Sequence, residues 1–385
     1  MDDFRRIYWP AVNLIGTGAI KEIVTEVRSL KITKVFVVTD KVLRSIGVVS
    51  KVTDLLDEAK IDYVVFDDVK PNPTVANVNH GLELYKSENC TGILSIGGGS
   101  PQDAAKAIGL LETNGGNIVD FEGIGKSRFK SVPIIAVNTT AGTASEVTIN
   151  YVISDEERKI KMVMVDPNCL ASVAVNDPEL MLAKPAGLTA ATGMDALTHA
   201  IESFITKGAF RLSDALSLEA IKLIGESIET AVFDGQNIEG RSKMAWASYI
   251  AGLSFSNCGL GIVHSMAHQL GSEYDLPHGV ANAILLPYVE AFNFEACPEK
   301  FALIAQALGK DISGLSVNEA GKLAIDTLKE MAVKLKIPAL KDTKFKVEDI
   351  DKLAAQAMND VCTGGNPREV TINDIKNIYL TAFKG

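Results

Sequence analysis

Short apolar, β-branched runs alternate with helix-length segments through the first half of the chain. Lys34 to Asp40 (KVFVVTD), Tyr63 to Phe66, Thr91 to Ile96 (TGILSI), Val132 to Asn138 (VPIIAVN) and Ala171 to Val175 each read as a strand buried on both faces. Between several of them lie helix-length segments, such as Val48 to Lys60 and Pro101 to Glu112. That alternation predicts βαβ units in a doubly wound parallel sheet. After Pro185 the strand pattern stops. Apolar residues then recur at helical spacing, as in Leu216, Ala220, Leu223, Ile224 and Ile228, and again in Ala320, Leu323, Ala324, Leu328, Met331 and Leu335. Ser316 with Glu319 and Thr371 with Asp374 each pair a capping residue with an acid three positions on, which marks helix starts. The expected architecture is an α/β domain over residues 1–185 followed by an all-α domain over 186–385. In an open α/β sheet, ligands bind beyond the carboxyl ends of the strands. A helical domain closing over that edge would make a cleft.

Composition narrows the partners. The 385 residues are 47% hydrophobic and 22% charged, enough apolar material for a sizeable core. A formal net charge of -10 repels phosphate backbones and anionic lipid heads, which argues against nucleic acid and membrane surfaces. Cys90, Cys169, Cys258, Cys297 and Cys362 stand far apart without a C-x-x-C pair, so neither a disulfide framework nor a thiolate zinc site is expected. The N-terminal MDDFRRIYWPAVN lacks the apolar core of a signal peptide, and the apolar stretch Ala245 to Gly261 is broken by Ser, Asn and Cys. A cytoplasmic protein is the expectation.

Three features point to a dinucleotide. Gly97, Gly98, Gly99, Ser100 and Pro101 follow a strand and open a helix, with Pro101 suited to the first turn and Ser100 just before it. Such a turn lets backbone N–H groups approach a pyrophosphate, although a tight turn without ligand carries the same glycines. Asp40 ends KVFVVTD, where a carboxylate can accept from an adenosine ribose and repel a 2′-phosphate, favouring NAD over NADP; an ordinary turn Asp looks alike. Asn138 to Glu146 (NTTAGTASE) places four hydroxyls and a glycine after another strand. Here the acid precedes the glycine turn, the reverse of the standard fingerprint.

The metal signal is stronger. Of the five histidines, His199, His264, His268 and His278 fall in one stretch, leaving His80 as an ordinary helix residue. Asp195 and His199 are four apart, which on a helix puts them on one face roughly 5 to 6 Å apart at Cβ. His264 and His268 repeat that spacing, and His278 follows Pro277. Three imidazoles and a carboxylate suit Fe(II) or Zn(II) better than Mg or Ca. Spacing does not decide between His264 and His268 as the ligand.

Together GGGSPQD, NTTAGTASEVT, AATGMDALTHAIE, VHSMAHQLGSEYDLPHGVANAILLP and CTGGNPRE resemble the iron-containing (group III) alcohol dehydrogenase family over nearly the whole chain. The resemblance implies an N-terminal dinucleotide-binding domain, a helical domain and a divalent metal, usually Fe(2+) and in some members Zn2+. It implies Asp195, His199, His264 and His278 as metal ligands and His268 as the histidine beside the substrate. It further implies NAD contacts at Asp40, Gly97, Gly98, Gly99, Ser100, Asp103, Thr139, Thr140, Thr143 and Lys161, and a substrate-pocket segment from Cys362 to Arg368. Ser265 departs from the Ala of many relatives.

The implied reaction is exchange of a hydride between a small primary alcohol or diol and NAD. The ion makes the hydroxyl more acidic, and His268 supplies or takes a proton. The alternative is lyase chemistry of the dehydroquinate synthase-like type, which would need Lys and Arg around the metal. Between Asp195 and His278 the basic residues are Lys207, Arg211, Lys222, Arg241 and Lys243, none beside a ligand. A non-catalytic metal-stabilised binding protein is the third reading. A homodimer or larger homo-oligomer is implied by the family.

Overall fold

A computed structural model describes residues 4–385. Its strands are β1 (Val12–Ile15), β2 (Lys34–Val38), β3 (Asp62–Phe66), β4 (Gly92–Gly97), β5 (Gly123–Ile124), β6 (Ile134–Asn138), β7 (Asn150–Asp155), β8 (Ile160–Val165) and β9 (Val173–Asn176). The helices of the first half are α1 (Ile23–Ser29), α2 (Lys41–Ser45), α3 (Ser50–Glu58), α4 (Val75–Ser87) and α5 (Gly99–Asn114). Contacts divide the chain into two compact units, one running to Thr140 and including Ala144–Leu182, the other joining Ala141–Thr143 to Ala183–Gly385.

In the first unit six parallel strands form a sheet in the order β1-β9-β6-β4-β2-β3. Successive side chains of a strand point to opposite faces. Val35 and Val37 of β2 therefore join α1 and α3 in one apolar layer, with Ile23, Val27, Val52 and Leu56. Phe36 and Val38 of the same strand join the other layer, with Val78 and Tyr85 of α4 and Ile108 of α5. Burial on both faces explains why β2, β4, β6 and β9 are continuous apolar runs; β3, expected to be buried likewise, lies at the sheet edge and is only half-buried from Tyr63 to Val65, because no strand covers its outer side. All five strands expected from the sequence are present, shifted by one or two residues at their ends.

Four further strands escape that pattern. β1 is a half-buried edge strand, and β5 has two residues. β7 and β8 form an antiparallel pair, and with β5 they make a separate three-stranded sheet. Their alternating burial sets Tyr151, Ile153, Met162 and Met164 against the α5 layer, a one-sided strand rather than a doubly buried one.

The second unit is helical: α6 (Ala186–Ile205), α7 (Arg211–Phe233), α8 (Ile238–Cys258), α9 (Ile262–Tyr274), α10 (His278–Asn293), α11 (Pro298–Ala307), α12 (Val317–Lys334), α13 (Ile350–Met358) and α14 (Ile372–Lys384). Both expected starts carry complete capping boxes, Ser316 with Glu319 on α12 and Thr371 with Asp374 on α14. Among the described residues no helix is long and apolar enough to cross a membrane.

Candidate metal centre

α6 carries five alanines, the strongest helix former, and is buried along most of its length. Burial is made possible at Gly193, where a Cβ would stand 2.8 Å from Ile228 of α7 and 3.1 Å from Met244 of α8. The close packing carries Asp195, His199 and Glu202 into the interior on one helical face. α10 begins with His278 after Pro277, and its second residue is held to glycine by contact: a Cβ on Gly279 would meet the Ala191 carbonyl oxygen at 2.6 Å.

Those three helices, α6, α9 and α10, bring Asp195, His199, His264 and His278 together, with one donor atom from each within 4.8 Å of the others. The rings of His199 and His264 lie 4.5 Å apart between centroids, and those of His264 and His278 5.3 Å. Phe255 of α8 stacks on His199 at 4.3 Å. Burial holds His264 far below and His199 below the usual imidazole range, so both favour the neutral form that can donate a lone pair. The His278 side chain keeps 30% of its exposure while Asp195, His199 and His264 keep 5% or less, so the cluster opens on the His278 side.

The donor set fits a divalent transition metal. Nδ1 of His199, buried 3.9 Å from Asp195, has no hydrogen-bond partner, an orphan that a cation nearby would relieve. The Asn282 amide nitrogen stands 2.7 Å from Asp195 Oδ1, 3.2 Å from His264 Nε2 and 3.1 Å from His278 Nε2. One carboxylate oxygen and two imidazole nitrogens converge on a single amide nitrogen, an electron-rich place that favours positive charge. Nitrogen and oxygen donors in a three-to-one ratio match iron or zinc.

His268, one turn after His264 on α9, is set apart from this group. Its Nδ1 lies 2.8 Å from Asp360 Oδ2, and its ring stacks on His278 with centroids 5.5 Å apart. Burial tends to raise the Asp360 carboxyl, but the charge and hydrogen bond of His268 outweigh it and hold the group below its ordinary range. Cys362 closes a second grouping with His268 and Asp360, and burial pushes its thiol well up, so it is no ready nucleophile. His80 takes no part; it lies edge-on to Phe66 at 5.4 Å.

The residues expected at the dinucleotide separate into several places. In the sheet β2 lies beside β4, and the chain leaves these two strands toward opposite edges, to β3 and to β6. That is a switch point, where a crevice opens beyond the strand ends. Asp40 follows β2, Gly97 to Ser100 follow β4, and the Thr39 hydroxyl ties the two ends by donating to the Ile96 carbonyl at 2.9 Å. Strand order therefore accounts for an acid that precedes the glycine turn in sequence. Thr139 donates its backbone N–H to Gly97 at 3.1 Å, and a Cβ on Gly98 would fall 2.9 Å from Thr140, so turn and threonine loop adjoin.

Some details differ from expectation. α5 starts at Gly99 with Gly98 as its cap, so Ser100 lies inside the first turn, where its hydroxyl accepts from Asn72 N–H at 3.3 Å. Asp40 caps α2, Oδ1 accepting from Leu43 N–H at 2.9 Å. Both Asp103 oxygens accept internal hydrogen bonds, from Ser145 at 2.7 Å and Val152 N–H at 3.0 Å, and buried Lys106 donates to Ser145 and Thr148. Asp103 thus braces the loop. Lys161 donates to Asn72 at 2.9 Å, and Thr143 belongs to the short segment that packs with the helical unit.

Family models match this chain over residues 10–178, as an iron-containing alcohol dehydrogenase, and over 189–383, as the C-terminal part of that family. The chain belongs to the iron-containing alcohol dehydrogenase family. Two relatives show how close the membership is: it is 46% identical to the NAD-dependent methanol dehydrogenase of Bacillus methanolicus, over 97% of this chain and 98% of that protein. It is also 46% identical to the lactaldehyde reductase of Escherichia coli K12, over 96% and 97%. A crystal structure of a 1,3-propanediol oxidoreductase superposes with a TM-score of 0.97 at 45% identity, covering 99% of this chain and all of that one. The protein is accordingly an oxidoreductase of the alcohol dehydrogenase class, with the family's two-part architecture.

Three polar residues in or beside the candidate metal centre were not singled out from the sequence: Glu202, Asn282 and Asp360. Glu202 lies three residues beyond His199 and Asn282 four beyond His278, same-face spacings that could have pointed to both. Asp360 meets His268 only through folding, and no local signal announces it.

Proposed function

We propose that the protein interconverts a small primary alcohol or diol and its aldehyde, with NAD as hydride acceptor and donor and with ferrous iron, or zinc in its place, held by Asp195, His199, His264 and His278. Four donor atoms within 4.8 Å of one another carry this reading. It agrees with the methanol, lactaldehyde and propanediol named for its relatives. A divalent ion in this set supplies Lewis acidity, which makes a substrate hydroxyl more acidic and a carbonyl carbon more electrophilic.

The remaining work falls to the chain. His268, its Nδ1 held by Asp360, takes a proton at Nε2 during oxidation and returns it during reduction. Balance requires that the alcohol lose one hydride to NAD+ and one proton through His268. Asp40, Gly97, Gly98, Gly99, Ser100, Thr139 and Thr140 form the dinucleotide platform within the 1–185 half. Asp103 and Lys161 shape it, and Thr143 completes the threonine loop. The 186–385 half supplies the metal and substrate groups. A cytoplasmic homo-oligomer is part of this reading, and the formal net charge of -10 disfavours nucleic acid and anionic membrane partners.

Replacing His264 or His278 by Ala should remove both bound metal and alcohol-dependent NADH formation. Elemental analysis of anaerobically purified protein alongside the assay decides the matter. Full metal content with full activity in either variant would refute the ligand set.

A further inference from the structure

α9 begins without a cap of its own, because Gly261 at its N-cap offers no side chain. The first free N–H groups of a helix need acceptors, above all when buried. They find them on other elements. Glu202 of α6 accepts from Val263 N–H through Oε1 at 2.7 Å, and Asn366 accepts from Ile262 N–H at 3.4 Å. Oε2 of the same glutamate lies 2.5 Å from His264 Nδ1. Gly261 is the residue that admits this, since a Cβ there would stand 2.9 Å from Glu202 Oε1. One fully buried carboxylate thus spans the start of α9 and the ring of its first histidine.

The consequence lies in the ring's tautomer. Burial and the neighbouring Glu290 raise the Glu202 carboxyl, while the N–H groups at the start of α9 favour its charged form. When ionised it draws the ring proton to Nδ1 and leaves the lone pair on Nε2, the atom facing Asp195 and His278 across Asn282. Glu202 also sits on the helix that carries Asp195 and His199, so it ties the two halves of the ligand set together.

We infer that Glu202 is a positioning residue of the metal centre: by accepting from His264 Nδ1–H and from the α9 N-terminus, it orients the ring and keeps Nε2 unprotonated for the ion. The inference rests on His264 being a ligand, as proposed above.

An isosteric amide separates this role from packing. In Glu202→Gln the amide oxygen still accepts from Val263 N–H, but its NH2 group donates to Nδ1 and moves the ring proton to Nε2. Zinc affinity, measured by chelator competition on purified protein, should fall about 10- to 100-fold. The thermal midpoint of the metal-free protein should stay near wild type. Glu202→Ala should lose affinity to a similar degree. Zinc affinity of Glu202→Gln within twofold of wild type, with Glu202→Ala impaired, would make the residue a packing element and overturn the inference. If Glu202→Gln does not fold, the zinc-loaded protein with 15N-labelled histidine decides. A strongly downfield proton on an imidazole Nδ1 should be present and should persist in His268→Ala, which removes the hydrogen bond between His268 Nδ1 and Asp360. Its absence overturns the inference. A His264→Ala protein that keeps its zinc would instead sink the underlying ligand assignment.

Discussion

At the residue scale, charge and proton placement decide what each group does. Asp40 spends one oxygen on the cap of α2, and its charge remains beside the switch-point crevice. Asp40→Gly should raise the kcat/KM ratio for NADP over NAD by about tenfold or more, roughly 1.4 kcal/mol of relieved repulsion; an unchanged ratio would show that the carboxylate serves only the helix. His268→Ala should lower turnover by about a hundredfold or more, the ordinary contribution of a positioned acid or base, while bound metal stays at the wild-type level. Loss of metal in that variant would move His268 into the ligand set.

At the element scale, the distance between α6 and α10 sets the spacing of Asp195 and His278, two of the proposed ligands. The only side chain small enough for position 279 is a hydrogen, because the Ala191 backbone lies against it and Asp195 Cβ is 3.3 Å from where a Cβ would stand. Gly279→Ala should push the N-terminus of α10 outward, carrying His278 from Asp195. A cost of about 1–3 kcal/mol is expected from overpacking. Weaker zinc binding should accompany it, checked by chelator competition together with urea unfolding. An alanine variant with unchanged affinity would show that α10 can give way without moving His278. At this scale the expected pattern and the observed helices agree well, since long periodic stretches with complete capping boxes bury one face whatever surrounds them. β7 and β8 were less legible: only one face packs, against α5, and which neighbour covers a strand is not written within it.

At the scale of the whole molecule, buried acids make stability depend on pH. Glu290 is fully buried, Oε1 has no hydrogen-bond partner, and burial pushes its carboxyl up to about 8. In the unfolded chain the group titrates near 4.3. Between these values unfolding releases a proton, so stability falls as pH rises, by at most about 1.4 kcal/mol per pH unit from this group, and the loss is complete above about 8. Glu290→Gln removes this dependence. The melting temperature of the variant relative to wild type should therefore rise between pH 5 and pH 8, as read by calorimetry on metal-loaded protein. A constant difference across that range would show that Glu290 titrates normally.

The sequence by itself determined the two-part architecture, the principal strands and helices, and the small set of Asp195 and four histidines that could hold a metal, because hydrophobic period and i, i+4 spacing are local quantities; only the family resemblance preferred His264 over His268. Only the tertiary structure decided the rest. Asp360 reaches His268 across 92 positions, and Glu202 reaches His264 across 62. Asp40 and the glycine turn became neighbours because β2 pairs with β4. Which donor atom faces its neighbours, and which hydroxyl of the 138–146 loop is spent on Asp103 and Lys106, depends on partners supplied by distant segments. Local chemistry chooses the element; the hydrogen bonds of a buried polar group are chosen by whatever the packed chain places beside it.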